Sequence, residues 1–144
     1  MSPTLLFAAL AIAAPALKDP PAPPVIEGEW LLETRLVGGR PDQPAQGGTT
    51  RFVITRETWT LVESGAKSLE WPMELDTAAR PSTLTTFNAN DKVRRGQPSM
   101  SGIYRVDGDT LTICYVFSGA RPTDFGSPAG TDIRLMTLRR VKAK

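Results

Sequence analysis

From Ile103 to Phe117 the chain reads IYRVDGDTLTICYVF. Leu111, Ile113, Tyr115 and Phe117 alternate with Thr110, Thr112, Cys114 and Val116, the period of two that a half-buried strand requires. Asp107-Gly108 separates this run from Ile103–Val106. Asp-Gly between two strand patterns predicts a tight hairpin, with a type I′ turn and positive φ at both central positions.

The same period extends outward in both directions. Leu69, Trp71, Met73 and Leu75 alternate with Ser68, Glu70, Pro72 and Glu74. Pro72 falls on the polar face; it has no N–H for a ladder, so an edge, a bulge or a break is expected there. Phe52 and Ile54, then Trp59 and Leu61, mark two further strands. Ser64-Gly65 and Asn90-Asp91 are weaker turn signals. Gly38–Gly48 and Arg121–Gly130 read as long connections. No segment after Ile26 carries an apolar stripe at helical spacing. The strands expected are 29–37, 49–55, 57–63, 68–76, 83–89, 99–106, 109–117 and 131–141. Eight strands in sequence order, left open, would expose two edges and one apolar face. Closure removes both problems. The expected fold is all-β, an eight-stranded antiparallel up-and-down barrel over residues 26–142.

Composition narrows the function. The 144 residues hold 17 Lys+Arg against 15 Asp+Glu. A formal charge of +2 gives no electrostatic case for nucleic acid. There is no His, which removes His-based triads, HExxH zinc sites and the usual neutral-pH proton shuttle. With one Cys, no disulfide within the chain and no Cys-rich metal site is expected. No cofactor is implied.

The apolar run Leu5–Ala14 is too short to span a bilayer and suits the core of a secretory signal. Residues 1–16 therefore read as a signal peptide, with small-x-small sites at Ala11–Ala13 and Ala14–Ala16. Residues 17–25, with four prolines, read as an extended spacer. The expected location is extracytoplasmic, secreted or periplasmic, with no stable membrane span once the signal is removed.

Two signatures resemble known barrels. Gly28-Glu29-Trp30 at the start of the first strand is similar to the Gly-x-Trp motif of lipocalins. The resemblance implies that Trp30 closes one barrel end beneath an Arg of the last strand, Arg140, with Arg139 as the other option. The second signature is Gly102-Ile103-Tyr104, then Gly108-Asp109-Thr110-Leu111, Cys114-Tyr115, and Arg121-Pro122-Thr123-Asp124-Phe125. Together these resemble a small bacterial, planctomycete-type lipocalin-like domain family of unknown function, over about Ile26 to Arg140. One stretch departs from that pattern. Pro81-Ser82-Thr83-Leu84-Thr85 stands where the family often has Pro-Lys-x-Ile-Asp. The resemblance implies a barrel and export and carries no assigned activity.

No residue set marks an active site. Cys114 lacks a His base, so a packed small side chain is expected rather than a nucleophile. Arg121–Phe125 offers either a cation for an anionic ligand or a loop tied by Arg121 and Asp124, with Phe125 plugging the barrel. Asp124-Phe125-Gly126 matches the kinase metal-binding tripeptide without its companion motifs. Asp107-Gly108-Asp109 holds too few oxygens for calcium. Glu29 with Glu33, and Glu70 with Glu74, lie on outward strand positions. Lys92-Arg94-Arg95, and Arg139, Arg140, Lys142 and Lys144, read as solvated charge. The expected function is an exported, non-enzymatic, lipocalin-like binding module for a small apolar or amphipathic ligand. Trp59, Trp71, Met73, Tyr104, Tyr115 and Arg121 are the expected ligand-binding residues, beside the structural signature Gly28, Trp30 and Arg140. The rival expectation is a solid barrel that recognises an envelope protein through its loops.

Overall fold

A computed structural model of the chain describes residues 25–42, 50–88 and 98–142. The signal segment 1–16, residues 17–24 of the spacer, the Asn90-Asp91 turn, the Lys92-Arg94-Arg95 cluster and Lys144 lie outside the described residues. Among the described residues no helix is long and apolar enough to cross a membrane.

The central hairpin forms as the alternation predicts: Met100–Asp107 (β7) pairs antiparallel with Thr110–Val116 (β8). Its turn differs from expectation. Asp107 still pairs with Thr110, so the central residues are Gly108 and Asp109, and only Gly108 has positive φ, at 59°. That is the type II′ pattern, with Gly in the first central position. The type I′ pattern occurs elsewhere. Ser64 and Gly65 both have positive φ and join Thr58–Glu63 (β4) to Ala66–Asp76 (β5). Gly38 and Gly39 do the same between Gly28–Val37 (β1) and the two-residue Arg40–Pro41 (β2). The expected long loop therefore opens with a tight hairpin.

Thr50–Ile54 (β3), Ser82–Thr86 (β6) and Arg134–Arg140 (β9) complete the set. Apart from β2, which pairs only with β1, sheet order follows chain order, and β1 also pairs with β9. The result is a closed eight-stranded antiparallel β-barrel, with β2 as a flap on the upper part of β1. Pro72 explains one boundary. The Phe87 N–H donates to the Pro72 carbonyl at 2.9 Å, but Pro72 has no N–H to return the bond. The β5–β6 ladder accordingly stops one pair earlier, at Met73 and Thr86. β5 itself runs on unbroken.

The inward side chains form tiers, because tilted strands carry the register upward around a barrel. Trp30, Met73, Leu84, Leu111 and Leu138 fill the lower tier and are fully buried. Phe52, Trp59, Ile113 and Met136 fill the middle, with the Phe52 and Trp59 rings 4.8 Å apart. Each such side chain contributes about 1.5–3 kcal/mol on leaving water. Gly102 faces inward with them. A Cβ there would sit 2.9 Å from the Tyr115 Cβ and 2.8 Å from the Cys114 carbonyl oxygen, so β7 and β8 can approach only because the position is glycine.

Residues 118–133 do not hang over an opening; they pack on the outer wall. Ile103, Cys114 and Val116 point outward and are nonetheless buried, as is Pro122. The Cys114 thiol donates to the Gly126 carbonyl at 3.2 Å. Ser127 links this segment to the β1–β2 turn: its hydroxyl accepts from Gly39 N–H at 2.8 Å and donates to the Ile133 carbonyl at 2.7 Å.

Candidate functional site at the Arg35–Arg134 end

The lower end is stoppered. Trp30 donates its indole N–H to the Ile26 carbonyl at 2.7 Å. The Arg140 guanidinium lies 4.2 Å above the Trp30 ring centroid and donates to the carbonyls of Glu27, at 3.0 Å, and Val25, at 2.7 Å. Arg140 fills this place, as expected; Arg139 turns outward to Glu33 at 3.3 Å. Gly28 has φ 138°, and a Cβ there would meet an Arg140 terminal nitrogen at 2.8 Å. The glycine is what lets the guanidinium cross the first strand.

The upper end is built differently. β1 carries a bulge between Leu32 and Thr34. Glu33 and Thr34 are both exposed, and the inward parity, carried by Trp30 and Leu32, resumes at Arg35, opposite the buried Met136. Simple alternation would have turned Arg35 to solvent. Arg134 occupies the next inward position of β9, opposite Tyr115 and Val37. Two guanidinium groups therefore share the top tier with Leu69 and Phe117, which are 48% and 57% exposed. Trp71 and Leu61 lie just below, partly buried against the core.

The two arginines have separate neighbours. Arg35 pairs with Asp42 at 2.8 Å, while its buried Nε has no hydrogen-bond acceptor. Arg134 lies 4.1 Å over the Phe117 ring, and the Phe117 and Tyr115 rings meet edge-on at 5.6 Å. Among the described residues Arg134 has no carboxylate within 4.0 Å. Burial pushes the Tyr115 hydroxyl above its usual range, and the nearby charges of Arg35 and Arg134 pull against that. It is a neutral phenol at pH 7.

The sequence-predicted site residues divide. Trp71 and Tyr115 belong to this end. Trp59 and Met73 are buried in the packed interior. Tyr104 lies toward the stoppered end, its hydroxyl beside Ser82, with burial raising its pKa and that hydrogen bond opposing the rise. It borders an open groove of about 1230 Å³ that also touches Ile26, Glu27, Arg56, Arg105 and Phe125. That groove mixes charges, with Arg56 and Glu27 at 3.7 Å and with Arg80, Glu57 and Glu74 also on its walls. Arg121 is not a free cation. It donates to the carbonyls of Leu84 and Gly102 and to the Thr85 hydroxyl, all at 2.7 Å. Phe125 does not plug the barrel; its ring lies 4.5 Å beneath Arg105 on the outer face. Cys114 is a buried thiol whose pKa is raised by burial, the packed role expected of it.

Sequence reasoning missed Arg35 and Arg134. Arg134 was legible in principle, as the residue two before Met136 on the inward face. Arg35 was not, because nothing in Leu32-Glu33-Thr34 marks a bulge. No family model, curated protein or solved structure matches this chain.

Proposed function

We propose that the chain is an exported, non-enzymatic binding barrel of lipocalin-like type that seats one small apolar or amphipathic molecule at the Arg35–Arg134 end. One observation carries this reading. Among the described residues the two inward apolar side chains that are about half exposed or more, Leu69 and Phe117, both lie at that end, while Leu75 and Val106 toward the other end are partly buried and the tiers between are packed. A seat of this kind is shallow, a mouth rather than a deep chamber. The resemblance to lipocalin-like sequences and the apolar leader support export. The lack of His, together with a buried, protonated and hydrogen-bonded Cys114, supports a role without covalent or acid–base chemistry.

Thermal unfolding of the full chain with C12 amphiphiles tests the proposal. A true ligand at a hundredfold excess over Kd adds about 2.7 kcal/mol. Trp71 fluorescence should shift with the same midpoint. No stabilisation and no spectral change with any amphiphile refutes it. The filled lower tiers favour a second reading, a solid barrel that recognises an envelope protein. In that case the mouth residues would be protected only on adding a protein partner.

A further inference from the structure

This step rests on the reading above and names the head group. We propose that the Arg35–Arg134 mouth selects a single-chain amphiphile carrying a carboxylate, with the head group between the two guanidinium groups and the chain against Leu69, Trp71 and Phe117. Three observations lead there.

The first is charge. Arg35 pairs with one carboxylate, Asp42, and Arg134 with none within 4.0 Å, so among the described inward residues of this end there is one cation without a paired anion. The second is donor geometry. A guanidinium over a ring face is held by cation–π attraction, which takes up no hydrogen-bond acceptor and leaves its N–H groups to other partners. Arg134 lies in this way over Phe117, its guanidinium carbon 4.1 Å from the ring centroid. Arg35 keeps a buried Nε without an acceptor, although its terminal nitrogen already holds Asp42. An N–H without a partner in a buried setting is costly, so Arg35 gains when its guanidinium turns to bring that N–H to an incoming oxygen. Tyr115, a neutral phenol beside both, adds a hydroxyl donor. The third is the apolar surface, with Phe117 57% and Leu69 48% exposed on the same tier as the cations. A planar fork of donors matches the two oxygens of a carboxylate, and the Phe117 ring beside Arg134, with Leu69 across the mouth on β5, matches a hydrocarbon chain. A neutral alcohol uses only the second half of this arrangement, and a quaternary amine is repelled by the first.

The test is calorimetric titration of the full chain with dodecanoate, 1-dodecanol and dodecyltrimethylammonium, each below its micelle concentration. Dodecanoate should bind at least about tenfold tighter than dodecanol, a ratio typical of one charge-assisted pair. Dodecyltrimethylammonium should bind weakest. Arg134→Met should bring dodecanoate down to the dodecanol affinity with the Tm unchanged, and Arg134→Lys should retain part of the preference. Arg35→Met tests the other cation, but it also strands Asp42, so the Arg134 variants carry the decision. Equal affinity for dodecanoate and dodecanol, or an unchanged preference in Arg134→Met, overturns this inference and leaves the binding barrel standing. If none of the three binds, the binding barrel fails too. If an acidic peptide binds where the amphiphiles do not, the partner is a protein and both proposals fall.

Discussion

The two ends of the barrel use the same side chain in opposite ways. Arg140 at the lower end and Arg35 and Arg134 at the upper end all occupy inward positions. Arg140 is enclosed: an indole beneath it, two backbone carbonyls at its donors and Asp109 at 4.0 Å. Arg134 rests on an exposed ring, and Arg35 divides its donors between the Asp42 carboxylate and the Tyr115 hydroxyl while its Nε has no acceptor. An inward arginine becomes structural when the backbone closes around it, and stays chemically available when it does not. The number of acceptors within reach, and not the residue type, separates a stopper from a seat.

That contrast breaks first under truncation of the aromatic partners. Trp30→Ala removes a fully buried ring, and a loss of about 3–5 kcal/mol is expected in urea unfolding. Phe117→Ala at the other end should stay within about 0.5 kcal/mol, since its ring is mostly exposed. Comparable losses at both ends would erase the distinction. Arg140→Met comes next. It leaves the Val25 and Glu27 carbonyls without their charged donor and the Trp30 face bare, at about 2–4 kcal/mol. Arg134→Met should be neutral to stability. Gly28→Ala sharpens the point from the backbone side. It should cost about 1–3 kcal/mol, because the new methyl meets Arg140 at a positive φ.

Arg121 extends the comparison to the outer wall. It is as fully engaged as Arg140, on three oxygen acceptors, and it ties down the segment that covers Cys114. Arg121→Met should cost about 1–3 kcal/mol. It should also make Cys114 reactive toward a thiol reagent under native conditions. A thiol that stays protected in this variant would show that Arg121 does not hold the strap.

The smallest effect is with pH. Burial raises the pKa of Tyr104, Cys114 and Tyr115 in the folded chain. The native state therefore holds these protons longer than the unfolded state. Their contribution is complete below about pH 8–9 and is lost as the pH rises through the ordinary thiol and phenol range. Denaturant midpoints should fall between about pH 9 and 11, and Tyr115→Phe should flatten the part that belongs to the mouth. A midpoint that rises over this range contradicts the assignment.

Much of this is legible in the sequence. Trp30 and Arg140 could be paired from the Gly-x-Trp signature and the last strand. The side of the wall that Met73, Ile113 and Cys114 occupy followed from alternation alone. Two kinds of fact were not legible. A period of two says which residues face outward but not what covers them. Arg121 and Phe125 were therefore expected over the barrel, although they lie against its flank, where Ile103, Cys114 and Val116 form a second apolar cluster. Register also survives only until a bulge. The extra residue near Glu33 reverses the upper half of β1 and turns Arg35 inward. Bulges without glycine leave no compositional trace, and here that silence concealed half of the site.

The most direct test of the two-ended account is an NMR titration of the full chain with dodecanoate, following backbone amides and indole N–H groups. Shifts should be confined to the tier of Arg35, Leu69, Tyr115, Phe117 and Arg134, with Trp71 responding and the Trp30 indole unmoved. Perturbation centred on Trp30 or on the groove beside Tyr104 and Phe125, or no perturbation at all, would contradict it.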